Sequence, residues 1–295
     1  IHNDVPPAAP TPTADRPAGE APPRVTTTIR PRSGWQPVRL GEIWRYRELL
    51  LFLIWRDIKV RYRQTVLGGA WAVIQPATTM IVFAIFFGRF GGMSQHVAGP
   101  YPVFLYAGLL AWTYFASTVN LAGNSLVNSA NLISKVYFPR LIIPLAAGGI
   151  GLVDFAISLG LMAVLMAWYG VAPTANLLLL PVFLALTAAA ALGVGTLLAA
   201  LVTAYRDFRY VMGFLVQLWM FATPIAYPLE VVPEAYRLPF AVNPMVGAVH
   251  GFHAALLGGP VRWDVVAVSA VSAAAALVIG VFYFRRVERR FADIV

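Results

Sequence analysis

The sequence predicts an all-α integral membrane protein, and three observations carry that prediction. Hydrophobic residues make up 59% of the 295 and charged residues only 12%, with a mean hydropathy of +0.70. A water-soluble domain normally carries about a quarter of its residues as charges, because its surface faces water. Six apolar stretches, near 66–88, 103–128, 141–169, 177–204, 210–228 and 264–284, are long enough to cross about 30 Å of hydrocarbon, which takes roughly 20 helical residues. Finally, the basic residues gather at alternate ends of these stretches, as the retention of Lys and Arg on the cytoplasmic side requires.

The elements follow in order. Residues 1–34 are rich in proline (Pro6, Pro7, Pro10, Pro12, Pro17, Pro22, Pro23, Pro31) and lack apolar periodicity. Such a segment buries too little surface to offset its ordering entropy and reads as a disordered tail. Over 35–64, Ile43, Leu50, Ile54 and Ile58 recur at helical spacing, while Arg45, Glu48, Arg56, Lys59 and Arg63 fall mostly elsewhere. This is an amphipathic helix expected in the cytoplasmic membrane interface. A six-helix transmembrane domain occupies 65–290. Its fifth span is the weakest, since Pro224 and Pro228 break its end.

Between the fifth and sixth spans, Asn243 reads as an N-cap with Pro244 at the first helical position, and Gly258-Gly259-Pro260 as a stop. The helix so delimited is too short to cross. It reads as a half-buried, re-entrant outer element over 228–260, docked on the fifth and sixth spans. Gly247 and Gly251 give it close packing, while His250 and His253 sit nearer water. With the N-terminal side cytoplasmic, only Arg89, Arg237 and Arg262 of the 22 basic residues fall on the other side. Both termini are therefore expected in the cytoplasm.

This distribution also explains the net charge of +9, which lines membrane edges rather than forming a nucleic-acid patch. A phosphate loop G-x-x-x-x-G-K-[ST] needs a lysine after glycine, but Lys59 follows Ile58 and Lys135 follows Ser134. No H-E-x-x-H or G-x-S-x-G occurs, and there is no cysteine. His250 and His253 stand one turn apart without an evident third ligand, so no metal is expected. No catalytic residue and no cofactor site is expected in this chain.

Two polar features lie inside predicted spans. Asp154 is an acid near the middle of the third, and intramembrane acids usually face a cavity or a partner helix. Asn120, Asn124, Asn128 and Asn131 are spaced by four, four and three, so they share one helix face that must meet protein or water rather than lipid. Interhelical packing is one reading, and a hydrophilic pathway is the favoured one. A membrane-embedded glycosyl- or phosphotransferase would need clustered acids at a membrane face. A secondary carrier would need intramembrane charges beyond Asp154.

Several stretches resemble the permease subunit of type-2 ABC transporters that export polysaccharide (O-antigen, capsule or teichoic acid chains). They are "LFLIWRDIKVRYRQTVLGGAWAVIQP" at 51–76, "NLISKVYFPRLIIP" at 131–144, "ATPIAYPLEVVP" and "VNPMVGAVHGFHAALLG", in the family's order over nearly the whole folded chain. The family commonly has Arg where His253 stands. The resemblance implies an inner-membrane homodimer working with two copies of a separate ATPase, which binds the ATP and Mg. The implied cargo is a lipid-linked polysaccharide. It further implies an interface helix from Trp35 to Arg63 and a cytoplasmic gate over 131–140, with Arg56, Lys59, Arg61, Arg63, Lys135 and Arg140 as coupling residues. Trp71, Trp112, Tyr114, Trp219 and Tyr227 are the aromatics proposed to stack on sugars, alongside the asparagines and Asp154.

Overall fold

The computed structural model describes residues 40–63, 70–135, 138–205 and 207–288. The proline-rich segment, residues 35–39 of the predicted interface helix and Arg206 lie outside the described residues. Regular structure among the described residues is entirely helical: α1 (Leu40–Arg45), α2 (Arg47–Arg63), α3 (Trp71–Phe83), α4 (Tyr101–Asn128), α5 (Ala130–Lys135), α6 (Ile142–Tyr169), α7 (Leu180–Ala204), α8 (Phe208–Phe221), α9 (Glu234–Phe240), α10 (Pro244–Leu257) and α11 (Trp263–Val287). A π-helical segment, Ala84–Phe90, extends α3 to 20 residues. Together with α4, α6, α7 and α11 it makes five helices long and apolar enough to cross a membrane. The α9–α10 pair, bent by 113°, brings the number to six if it counts as one broken span.

The predicted fifth span stops early. α8 has 14 residues, about 21 Å of helix at 1.5 Å per residue. The chain after it, from Thr223 to Ala226, is irregular and buried. Irregular backbone at membrane depth is tolerated where protein covers it, and Pro224 and Pro228 prevent the helix from continuing.

α4 is the centre of the bundle. In its most apolar stretch 78% of residues are buried within the chain, against 33% for α6, α7 and α11 and 17% for the first span. α6 packs on one side of α4 and α7 on another, and α7 in turn carries α11. The α7–α11 contact is close enough for backbones to touch. A Cβ added at Gly193 would lie 2.6 Å from the Ala276 carbonyl carbon, and one added at Gly280 would strike the Gly193 carbonyl oxygen. Small residues favour helix association in lipid because they let backbones approach and dispersion contacts accumulate. On the outside of α6 lies α2, whose Leu53 meets Ile142 and Ala146 and whose Ile54 fills the notch at Gly149.

α10 departs from its expected position. Its caps are as predicted: the Asn243 side chain accepts the Met245 N–H at 3.0 Å, and Gly258 closes the helix with φ +80°. However, every residue from Pro244 to Leu256 is buried, including His250 and His253. The helix does pack on α11, the predicted sixth span, but α7 and α4 rather than the fifth span complete its surroundings, so it is enclosed and not half-exposed. The face opposite Met245, Val249, Phe252 and Leu256 carries Gly247, Gly251 and Ala254 beside His250, and that face too is buried. At Gly251 an added Cβ would enter the ring of Phe183, which is itself fully buried. Gly251→Ala should therefore destabilise the protein by about 1–3 kcal/mol, the usual range for overpacking. That would appear as a lower melting temperature in detergent. An unchanged value would show that Phe183 has room to turn away.

Candidate functional site

The polar residues of α4 open onto two cavities that share part of their walls. The first, about 540 Å³, has α6 as its floor (Ile143, Ala146, Ala147, Ile150) and α2 and α4 as its sides. α2 contributes Arg56, Asp57 and Arg61, and α4 contributes Ser117, Asn120, Ser125 and Asn128. The second, about 400 Å³, lies beyond Asn120 and is lined by Trp71, Gln75, Trp112, Thr113, Tyr114 and Asp154 among others. Arg61, Ser117 and Asn120 belong to both. The result is one groove along α4, with amides and hydroxyls at one end and aromatics at the other.

Its charges are paired. Arg61 Nη2 lies 2.9 Å from Asp154 Oδ2, and the Tyr62 hydroxyl donates to Asp154 Oδ1. The Tyr62 phenol is pushed up to about 12, first by burial and then by its bond to Asp154, so it remains a donor at any physiological pH. Arg56 Nε bonds Asp57 at 2.7 Å. Asp154 sits near the midpoint of α6, and its partners come from the far end of α2. α2 thus follows α6 for about half of that helix's length.

The predicted pathway residues are only partly brought together. Asn120, Asn128, Trp71, Trp112, Tyr114 and Asp154 line the groove. Asn124 turns back on its own helix, donating to Asn120 O at 2.9 Å, and its buried amide oxygen has no partner. Asn131 is exposed on α5, past the end of α4 at Ser129. Trp219 donates from Nε1 to Asn243 Oδ1 at 2.9 Å and packs edge-on against Phe115. Neither it nor the half-buried Tyr227 lines either cavity.

The predicted coupling residues divide as well. Arg56 and Arg61 face the groove, whereas Lys59 lies over the Trp55 ring at 4.9 Å. Arg63 and Lys135 are exposed. Arg140 ties the start of α6 to the end of α11, through its N–H to Glu288 Oε1 at 3.1 Å and its Nη1 to Glu288 O at 2.6 Å. In the outer helix, His250 Nε2 accepts the Arg262 N–H at 3.1 Å. His253 Nε2 donates to Phe104 O at 3.1 Å, with its ring stacked on Phe104. Gly247 donates its N–H to Ser269 Oγ at 2.9 Å. The two histidines therefore point to different partners. Sequence reasoning missed Thr113, Ser117 and Ser125. The first two extend the asparagine stripe backward at spacings of four and three, a signal present in the sequence.

The ABC-2 type transporter family model matches residues 48–257, which takes in the groove, α8 and α10. The chain belongs to this family. It is 34% identical over 215 residues to the O-antigen export system permease protein RfbA of Myxococcus xanthus, covering 72% of this chain and 82% of that protein. It is 26% identical over 249 residues to the protein of the same name from Klebsiella pneumoniae, covering 84% and 95%. Membership makes this ABC-2 chain a multi-pass transport component that works with an ATPase partner.

Proposed function

We propose that the chain is the permease of an exporter that moves a lipid-linked polysaccharide of the O-antigen class across the inner membrane. In this reading two copies form the channel and two copies of a separate subunit bind and hydrolyse ATP with Mg. α8 and the buried chain after it make the fifth of six crossings, both termini are cytoplasmic, and α9 and α10 form a re-entrant element at the outer end. The observation that carries the reading is the groove itself. Its amides, hydroxyls and aromatic faces suit a chain of sugars, and its ions are mutually neutralised rather than poised to carry a coupling ion. The names of the relatives supply the cargo class.

Reconstitution with the ATPase subunit in proteoliposomes tests it. ATP-dependent movement of a fluorescent lipid-linked oligosaccharide is expected, and movement that persists without the ATPase would remove the reading. Topology is tested separately, since a chain without cysteine accepts clean single-cysteine labelling. Tyr236→Cys should react with an impermeant reagent outside intact cells and Phe208→Cys should not. The reverse pattern would invert the orientation.

A further inference from the structure

Asn243 does more than cap α10. Its side-chain oxygen accepts the Met245 N–H at 3.0 Å and the Trp219 indole N–H at 2.9 Å. Its nitrogen donates to Ala222 O at 3.0 Å and to Thr223 Oγ1 at 3.1 Å. The partners fix which way the amide points, since an indole or backbone N–H can only donate and a carbonyl can only accept. Ala222 closes α8, and the last carbonyls of a helix have no partner within it. Pro224, just beyond, has no N–H to offer one. A single carboxamide therefore caps two helices, its oxygen the start of α10 and its nitrogen the end of α8. Aspartate would serve as well for the α10 cap alone, and the helix dipole would favour its charge. The donations to α8 are what asparagine supplies and aspartate cannot. The body of α10 packs on α11, α7 and α4, so its tie to α8 falls to this turn. The turn is held in its own right, because Ser269 Oγ of α11 donates to Ala241 O and accepts the Gly247 N–H, both at 2.9 Å. Beyond α8, the Tyr101 hydroxyl of α4 donates to Ala226 O at 2.7 Å.

We propose that Asn243 is the positioning residue that holds the outer end of α8 against the start of α10, and that this join stays closed while the transporter works. The re-entrant pair is then a fixed strut and not a lid that lifts from α8. Trp219, bonded to Asn243 and packed edge-on against Phe115 of α4, is locked in the same knot. The outer opening lies elsewhere, between the two copies. That last step rests on the two-copy reading, and the join does not.

The test reads the join without cargo. Thr223 is 2% exposed, and Thr223→Cys leaves the Asn243 bonds to Ala222 and Trp219 in place. It is introduced into the full chain assembled with its ATPase in proteoliposomes. A small water-soluble thiol reagent is applied from the side on which Tyr236→Cys reacts, with and without ATP. With Asn243 intact, labelling at 223 should be about tenfold slower than at 236, as for a site reached only by local opening. ATP hydrolysis should not speed it. Asn243→Asp keeps the α10 cap but turns an oxygen towards Ala222 O. It should raise labelling at 223 about tenfold and lower transport by a similar factor, the order expected when a polar group loses its partner. Asn243→Ser, a good cap too short to reach α8, should match it, and Trp219→Phe, which removes one bond, should do less. If Asn243→Asp fails to assemble, the Asn243→Ser and Trp219→Phe rates decide. Labelling at 223 that accelerates during ATP hydrolysis with Asn243 in place overturns the proposal, because α10 then lifts from α8. Unchanged labelling in assembled Asn243→Asp protein overturns it too, even with a lower melting temperature, the mark of a cap and nothing more. So does transport undiminished by a loosened join. If labelling behaves as expected but no polysaccharide moves in the reconstituted system, the join stands and the cargo assignment fails.

Discussion

Gly280→Val should leave little folded protein to purify, and Gly280→Ala should measurably lower the melting temperature in detergent. The added carbon meets the Gly193 carbonyl oxygen and lies 2.7 Å from Thr196 Oγ1. The first is backbone and cannot rotate away, so α7 and α11 must separate. Overpacking costs about 1–3 kcal/mol, occasionally more, and here it falls on the most extensive helix pair of the bundle. At about 2–4 °C per kcal/mol for a domain of this size, alanine alone should be visible by thermal scanning. Gly160 on α6 provides the comparison, since nothing lies within 4 Å of an added Cβ there. Gly160→Ala should be neutral or slightly stabilising through helix propensity. Equal melting temperatures for the Gly280→Ala and Gly160→Ala proteins would show that the close backbone contact does not hold these helices together.

Asn120→Leu should nearly abolish transport while leaving assembly with the ATPase intact. Asn120 lines both cavities, so a leucine there places an apolar surface where the cargo must exchange hydrogen bonds with the wall. Leaving one polar group unsatisfied costs about 1–3 kcal/mol, a factor of about 5–150 in an equilibrium constant. Asn124→Leu should do far less. Asn124 lines neither cavity, and removing its partnerless buried oxygen relieves a desolvation cost, so stability should hold or rise. The two rates, measured side by side in proteoliposomes, separate a wall residue from a packing residue. Similar losses in both variants would count against the groove as drawn.

That contrast shows where the sequence stops being informative. Helical spacing places the Cβ atoms of Asn120, Asn124 and Asn128 on one face of α4. It says nothing about what each amide then meets. Asn120 and Asn124 both bond the carbonyl four residues back, as short polar side chains in helices do, yet of the two only Asn120 lines the groove. Five of the six spans were legible, because their length and polarity follow from the thickness of hydrocarbon. The fifth ends at Phe221, short of the predicted 210–228. The termini of α10 were legible from Asn243, Pro244 and Gly258, since cap chemistry is local. The surroundings of α10 were not, because an apolar helix with glycines on its other face reads alike whether it rests on a surface or is enclosed. Arg56 and Arg61 looked like ordinary members of a basic interface helix. Only the approach of α2 to α6 shows that they face the groove, and that approach depends on Leu53 and Ile54 finding Ala146 and Gly149 about 90 residues away.

The order of burial in the bundle has a consequence for biosynthesis. Among the long helices α4 is the least hydrophobic and yet the most enclosed. Transfer of a helix from the insertion machinery into lipid depends on its own side chains, and polar residues near its centre weigh against it. α4 brings its amides and hydroxyls to that step with only α3 and the N-terminal helices already made. The helices that will cover it, α6 and α7, are synthesised afterwards and are far more apolar. The segment that carries the groove is thus the one the nascent membrane retains least firmly, and its lasting residence in the bilayer rests on helices the ribosome has yet to deliver.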